Sequence, residues 1–269
     1  MQQSLRTFYI LVIFFMLSAT IQSKPFDWYR GGHITYDVQK KHDAVVDKAI
    51  ALFASDMQAV TGEKAKEGDN ADVMVYQLNS ITNKDLKVLQ DLNVPIMEFI
   101  AKKDAFWLGV RNGKIFIVGA NGCGTAYGVL ELSRMAGVSP WIWWGDVKPM
   151  RRNRLTIDDQ FEITRAPSIE LRGINIEQSN FSTTGYRHLF ELMLRLRVNV
   201  LSAGWDSGTS KLPANRTFKD MADSFGIRTV LPHNGNSLRL HDHKKNTNID
   251  ITLHDDGYGY LMPTNNELE

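Results

Sequence analysis

Three short segments of this sequence place polar side chains directly after apolar, β-rich runs: Asn175-Ile-Glu177-Gln178, Gly204-Trp205-Asp206 and Pro232-His233-Asn234. If the runs before them are parallel strands, these residues sit at the carboxyl ends, where barrel folds place their substrates. Glu177 and Asp206 are the carboxylates of the set. Two carboxyl groups on neighbouring strand ends have the composition needed for glycosidic-bond hydrolysis. One, protonated, donates to the leaving oxygen; the other activates water about 6.5–9.5 Å away or attacks directly at about 5–5.5 Å. Trp205 offers a flat face to a sugar ring, and His233 a hydrogen bond to a carboxylate; Gln178 and Asn234 add substrate-binding amides. Taken alone, each carboxylate reads equally well as an ordinary surface group at a loop start, and His233 as a plain loop histidine.

The elements that must position these residues begin near Ser168. Ile169–Ile176 reads as a strand, Tyr186–Arg197 as a helix and Val198–Ala203 as a strand. Phe218–Phe225 reads as a helix capped by Gly226, and Ile227–Leu231 as a strand. A βαβαβ order with short connections predicts parallel strands and matches the opening of a (β/α)8 barrel. A whole barrel takes about 250 residues, so at most about half of one fits after Ser168. From His233 the apolar period is lost, and an irregular tail is expected.

The preceding segment has a different rhythm. Lys40–Val60 carries apolar residues at helical spacing and is followed by Gly62. Ala71–Tyr76 is a strand candidate and Lys84–Leu92 a second helix. Asn112-Gly113 lies between the β-rich runs Phe106–Val110 and Ile115–Val118, a type I′ hairpin signal. Helix Thr125–Met135 ends at Gly137. The fold class is therefore α/β: a signal segment over 1–23, an N-terminal α+β domain or α/β sandwich over 24–147, a linker with a short strand over 148–167, and a partial barrel with an irregular tail over 168–269.

Other features narrow the function classes. The 269 residues are 43% hydrophobic and 23% charged with a formal net charge of +1, so no global field points to nucleic acid or to an anionic membrane. Arg6, the apolar run Phe8–Leu17 and the small or polar residues to Ser23 form the three-part pattern of a secretory signal peptide. It predicts a secreted or periplasmic protein with no membrane attachment after cleavage. Cys123 is the lone cysteine, so no internal disulfide can form; it reads as a small buried residue in a tight turn. Gly119-Ala-Asn-Gly-Cys-Gly124 lacks dinucleotide-binding spacing and reads as a strand-to-helix turn. His233, His241, His243 and His254 match no metal-ligand spacing. No cofactor and no metal are expected, and the oligomeric state is left open.

Gly137-Val-Ser-Pro-Trp-Ile-Trp-Trp-Gly-Asp-Val147 packs Trp141, Trp143 and Trp144 into four residues. Such a cluster can lock domains together or stack on sugar rings. Alternation along an extended segment would put Trp141 and Trp143 on one face and Trp144 on the other.

With Gly124-Thr-Ala-Tyr-Gly128 upstream and Arg172-Gly-Ile174 and Leu192-Met-Leu-Arg-Leu196 downstream, this stretch resembles the N-terminal region of glycoside hydrolase family 115, the xylan α-glucuronidases. The likeness runs from about Asp43 to Asp206. It implies a domain like the second domain of β-hexosaminidases followed by a (β/α)8 barrel, and inverting removal of glucuronic acid or its 4-O-methyl ether from a polysaccharide. It also places Asp255, Asp256 and Tyr258, in Asp-Asp-Gly-Tyr-Gly, among the substrate-binding residues. That run lies much further along the barrel in the family, where Asn-Asp-Glu and His-His-Glu-Pro runs stand in place of Glu177-Gln-Ser and His233-Asn-Gly-Asn. The catalytic acid of the family has no counterpart here. The resemblance thus implies a truncated or inactive glycosidase that has lost the middle of its barrel; the other reading is a non-catalytic carbohydrate-binding or accessory protein.

Overall fold

Asn112 and Gly113 both take positive φ, 50° and 68°, the geometry an Asn-Gly pair adopts most readily in a two-residue hairpin. They join β5 (Phe106–Arg111) to β6 (Lys114–Gly119), with Leu108 opposite Ile117 and Trp107 opposite Val118. Both strands are buried on both faces, so their sequences are near-continuous apolar runs rather than alternating ones.

The structure, a computed structural model, describes residues 24–176, 181–203, 212–213, 215–233, 237–242, 247–252 and 262–263; beyond Val230 it describes the backbone alone. Around the hairpin stand β2 (Thr35–Val38), β3 (Lys66–Glu67), β4 (Val73–Gln77) and β8 (Glu162–Arg165). They form a six-stranded sheet in the order β3-β2-β4-β6-β5-β8. β2, β3, β4 and β6 run parallel, and β5 is antiparallel to both its neighbours. Helices α1 (Ala44–Thr61) and α3 (Gly122–Met135) cover the face bearing Val75, Leu108 and Ile117. Helix α2 (Asn83–Asp91) packs against the opposite face, which bears Tyr76, Trp107 and Phe116. The arrangement is an α/β sandwich.

α1 buries Val46, Ala49, Ile50, Phe53, Met57 and Val60 at the expected spacing and stops at Gly62, whose φ of 99° needs no β-carbon. α3 starts three residues earlier than its apolar period suggests. The Asn121 side chain accepts the Gly124 N–H at 2.9 Å, capping a first turn made of the glycine-rich run. Those glycines serve close packing: a β-carbon on Gly124 would lie 2.1 Å from the Ala105 carbonyl oxygen.

The segment expected as a linker carries two strands. β7 (Leu155–Asp158), close to the expected short strand, pairs antiparallel with β1 (Pro25–Tyr29). β8 closes the edge of the main sheet.

The second sheet is built from β9 (Gly173–Ile176), α4 (Thr183–Arg195), β10 (Val200–Ala203), α5 (Arg216–Ser224) and β11 (Arg228–His233). The three strands are parallel, as the pattern predicts. Where an irregular tail was expected, β12 (Ser237–Asp242) and β13 (Thr247–Thr252) continue the sheet antiparallel, followed by β14 (Met262–Pro263). β12 and β13 each carry a short two-residue alternation, with Leu238 and Leu240 in register with Ile251 and Ile249, which the surrounding His, Asn, Asp and Lys residues obscure. The described sheet is open, with β9 and β14 at its edges.

One apolar cluster joins the two sheets' layers. Phe53 and Leu132 of the first share it with Phe190, Met193, Leu201, Phe218 and Phe225 of the second. The helices of the second unit therefore pack on α1 and α3 rather than hanging from a tether.

Candidate active site at the ends of the parallel strands

The register aligns the strand ends. Ile176 of β9 lies beside Ala203 of β10, and Ser202 has Asn175 on one side and Val230 of β11 on the other. β9 and β10 therefore end side by side, at Ile176 and Ala203. Of the side chains singled out from sequence, Glu177, Gln178, Trp205, Asp206, Asn234, Asp255, Asp256 and Tyr258 lie outside the described residues, as do residues 1–23, where a signal segment is expected. His233 closes β11, and only its backbone is described.

Alternation divides this sheet into two faces. Ile174, Ile176, Leu201 and Ala203 point to α4 and α5 and join the main core. Gly173, Asn175, Val200, Ser202 and Val230 lie on the other face, which in a barrel lines the interior. Asn175 is exposed there, whereas Ser202 is 7% exposed and its hydroxyl has no hydrogen-bond partner among the described residues. A buried hydroxyl without a partner costs about 1–3 kcal/mol, so Ser202 is a polar group available to whatever occupies the strand ends. The sequence carried no signal for it, since a serine within Val-Leu-Ser-Ala reads as a strand residue.

The opposite ends of the strands are fixed by two side chains. Arg172 donates to Asp104 Oδ2 at 2.9 Å, to the Tyr127 hydroxyl at 3.1 Å, and to the carbonyls of Ile169, Glu170 and Arg197. Burial opposes the Arg172 charge, but the hydrogen bond and charge of Asp104 outweigh it and raise the pKa. Burial also pushes the Tyr127 hydroxyl well above the usual phenol range, so it stays protonated. Asn199 accepts the Arg172 N–H at 2.8 Å and donates to the Glu170 carbonyl at 2.8 Å, tying β9 to β10 before either strand begins. The Arg-Gly-Ile run is thus the point where the first parallel strand is fastened to the sandwich.

The tryptophan block is a turn and not an extended segment: the N–H groups of Trp144 and Gly145 both reach the Trp141 carbonyl, at 3.0 and 2.8 Å. The expected division of faces therefore fails. Trp143 and Trp144 both turn to α4. Trp143 stacks on His188 at 4.2 Å and 7°, and its Nε1–H donates to Glu191 at 2.8 Å. Trp144 lies edge-on to Phe181 and donates to the His188 carbonyl at 3.5 Å. All three indoles remain half-exposed, at 49%, 53% and 42% for Trp141, Trp143 and Trp144. The block both packs between the units and leaves aromatic surface open.

Cys123 is half-buried beside the core. Among the described residues, no group of three His, Cys, Asp or Glu side chains is placed to hold a metal ion.

Neither a protein-family model nor a curated protein sequence matches the chain. Solved structures do. BtGH115A, a family GH115 4-O-methyl-α-glucuronidase with specificity for decorated arabinogalactans, is 27% identical with a TM-score of 0.65, over 76% of this chain and 29% of that one. A β-hexosaminidase of Streptomyces plicatus aligns over 77% of this chain and 42% of its own, at 13% identity and a TM-score of 0.52. CpGH84D aligns over 72% and 33%, at 14% and 0.51. The chain has a glycoside hydrolase-like fold, and it spans less than half the length of each of these relatives.

Proposed function

We propose that this protein is a glycoside hydrolase of the α-glucuronidase type, acting on glucuronic acid side chains of a plant polysaccharide. The observation that carries this reading is the 27% identity to BtGH115A across 76% of the chain. The parallel strands with aligned carboxyl ends supply the frame that such a site uses. On this reading residues 1–23 direct secretion, residues 24–167 form the supporting domain and residues 168–269 belong to the barrel. Glu177 and Asp206 act as the acid and the second carboxylate, and Gln178, Trp205, His233, Asn234, Asp255, Asp256 and Tyr258 bind the sugar. Ser202, near the end of β10, adds a hydrogen-bonding group.

Release of glucuronic acid from glucuronoxylan and from decorated arabinogalactan, measured side by side, tests the reading and fixes the polymer. Glu177→Gln and Asp206→Asn each abolish release from the preferred substrate. Absence of release from both polymers removes the catalytic reading for this chain.

The half-exposed tryptophans favour a second reading, a non-catalytic carbohydrate-binding or accessory protein. Retention on insoluble glucuronoxylan without any release supports it.

A further inference from the structure

A cleft with a volume of about 520 Å3 lies between β2 and α1, and none of its lining residues belongs to the second sheet. Tyr36, Val38 and Lys40 line it from alternate positions of one extended segment, and Asp47, Ile50, Ala51 and Ala54 from one side of α1. The floor is apolar: Tyr36 and Val38 lie partly buried against the core, and the small Ala51 and Ala54 keep the helix from filling the space. Lys64 and Glu67 close the far side, across the short strand β3.

The charges around the cleft are unevenly satisfied. His42 has the Gln39 carbonyl 2.6 Å from Nδ1 and Asp47 Oδ1 2.8 Å from Nε2. Asp47 is thereby taken up by the imidazole. Among the described residues, Lys40 and Lys64 have no ion-pair partner and the Tyr36 hydroxyl makes no hydrogen bond. Two ammonium groups, a phenol and an aromatic face thus surround a space of the size that takes one or two sugar rings. Glu67 adds an acceptor for ligand hydroxyls. An aromatic floor with polar rim groups suits a pyranose, and the unpaired ammoniums suit an anionic substituent on it.

We infer that the β2–α1 cleft binds a small carboxylate-bearing sugar of the hexuronate class, the ring lying against Tyr36 and the carboxylate between Lys40 and Lys64. The sugar class rests on the glycosidase reading; the location and the carboxylate rest on the cleft itself. The site stands apart from the strand ends, so it holds an acidic sugar without cleaving it.

The test is calorimetric titration of the full chain with D-glucuronate and D-glucose, alongside Lys40→Met/Lys64→Met and, separately, Tyr36→Leu. Expected is saturable glucuronate binding about tenfold or more tighter than glucose, lost in the lysine double variant and weakened in Tyr36→Leu. Thermal melting of the double variant stays at the wild-type midpoint, since both lysines are exposed. No saturable binding, equal binding of glucose, or undiminished binding by the double variant overturns the inference. Glucuronic acid release is assayed on the same samples. Binding without release ends the catalytic reading and leaves the cleft standing; release without lysine-dependent binding does the reverse.

Discussion

Arg195 on α4 reaches both carboxylate oxygens of Asp56 on α1, at 2.9 and 2.8 Å, across 139 residues of sequence. Each side chain is 4% exposed. Arg195 also bonds Glu191, itself the acceptor for the Trp143 indole. Burial works against the Arg195 charge, and the two carboxylates more than restore it, raising its pKa. Asp56 stands inside an otherwise apolar helix stripe, and among the described residues its partner, Arg195, comes from the βαβαβ unit.

Removing one member of a buried pair leaves an uncompensated charge, at a cost of about 3–5 kcal/mol, whereas replacing both members by apolar residues is often close to neutral. Arg195→Met is therefore expected to lower the melting temperature sharply. Asp56→Leu/Arg195→Met should recover only part of the loss, since Glu191 then keeps the Trp143 N–H but no cation. Scanning calorimetry of the whole chain should show one transition, since the units share a core. Two well-separated transitions, or an Arg195→Met variant that melts like the wild type, would break the argument.

Much of the scaffold was legible because its signals are local. The Asn112-Gly113 turn, the spacing from Val46 to Val60 and the βαβαβ rhythm after Ser168 each depend on neighbours in sequence, and the structure has all three. Asp56 was not legible, because a carboxylate in an apolar stripe declares nothing about a partner 139 residues away. The alternation of Leu238 with Leu240 and of Ile249 with Ile251, which β12 and β13 bring into register, is only two residues long in each strand and is set among polar residues, so it is a weak signal. Alternation divides the tryptophans between two faces only in an extended chain, and the turn at Trp141–Gly145 removes that basis. The strand ends were placed correctly for β9 and β10, although the carboxylates beyond them lie outside the described residues.

Gly124 tests the packing role of the glycine-rich run. A methyl group there meets the Ala105 carbonyl oxygen at 2.1 Å and the backbone of Asp104 at 3.0 Å, neither of which can swing away as a side-chain tip would. Overpacking of this kind costs about 1–3 kcal/mol. Gly124→Ala should reduce the urea midpoint accordingly, although alanine is the better helix former. Gly113→Ala has open space around it, and its penalty comes from the positive φ alone. A Gly124→Ala variant as stable as the wild type would show that α3 can lift from the sheet.

Glu131 makes the acid limb of stability predictable. It is 6% exposed and bonded to Arg134 and Arg197, the latter from the second unit. Burial raises its pKa, but the hydrogen bonds and charges of the two arginines lower it further, so the net shift is downward from 4.5. A carboxylate held lower in the folded state than in the unfolded one contributes stability above the unfolded value. That contribution is lost as pH falls through the folded one. Wild-type stability should therefore drop as pH is lowered below about 4.5. Glu131→Gln should be less stable at neutral pH and show a shallower decline over the acid range. Equal acid slopes for the two proteins in urea titrations would remove Glu131 from the account.

Trp143 separates packing from sugar contact. Its Nε1–H bond to Glu191 and its stack on His188 hold the ring, yet 53% of the residue is exposed. Trp107, by contrast, is fully buried. Truncating Trp107 opens a core cavity, at about 3–5 kcal/mol. Trp143→Ala forfeits one hydrogen bond and one ring stack, about 1–2 kcal/mol together, because Arg195 still satisfies Glu191. The Trp143→Ala chain should thus stay folded at room temperature while Trp107→Ala falls close to its unfolding threshold. If the exposed indole surface contacts polysaccharide, Trp143→Ala/Trp144→Ala should lose retention on insoluble glucuronoxylan well below the melting temperature. Undiminished co-sedimentation of that double variant would leave the block with its packing role between the sandwich and α4.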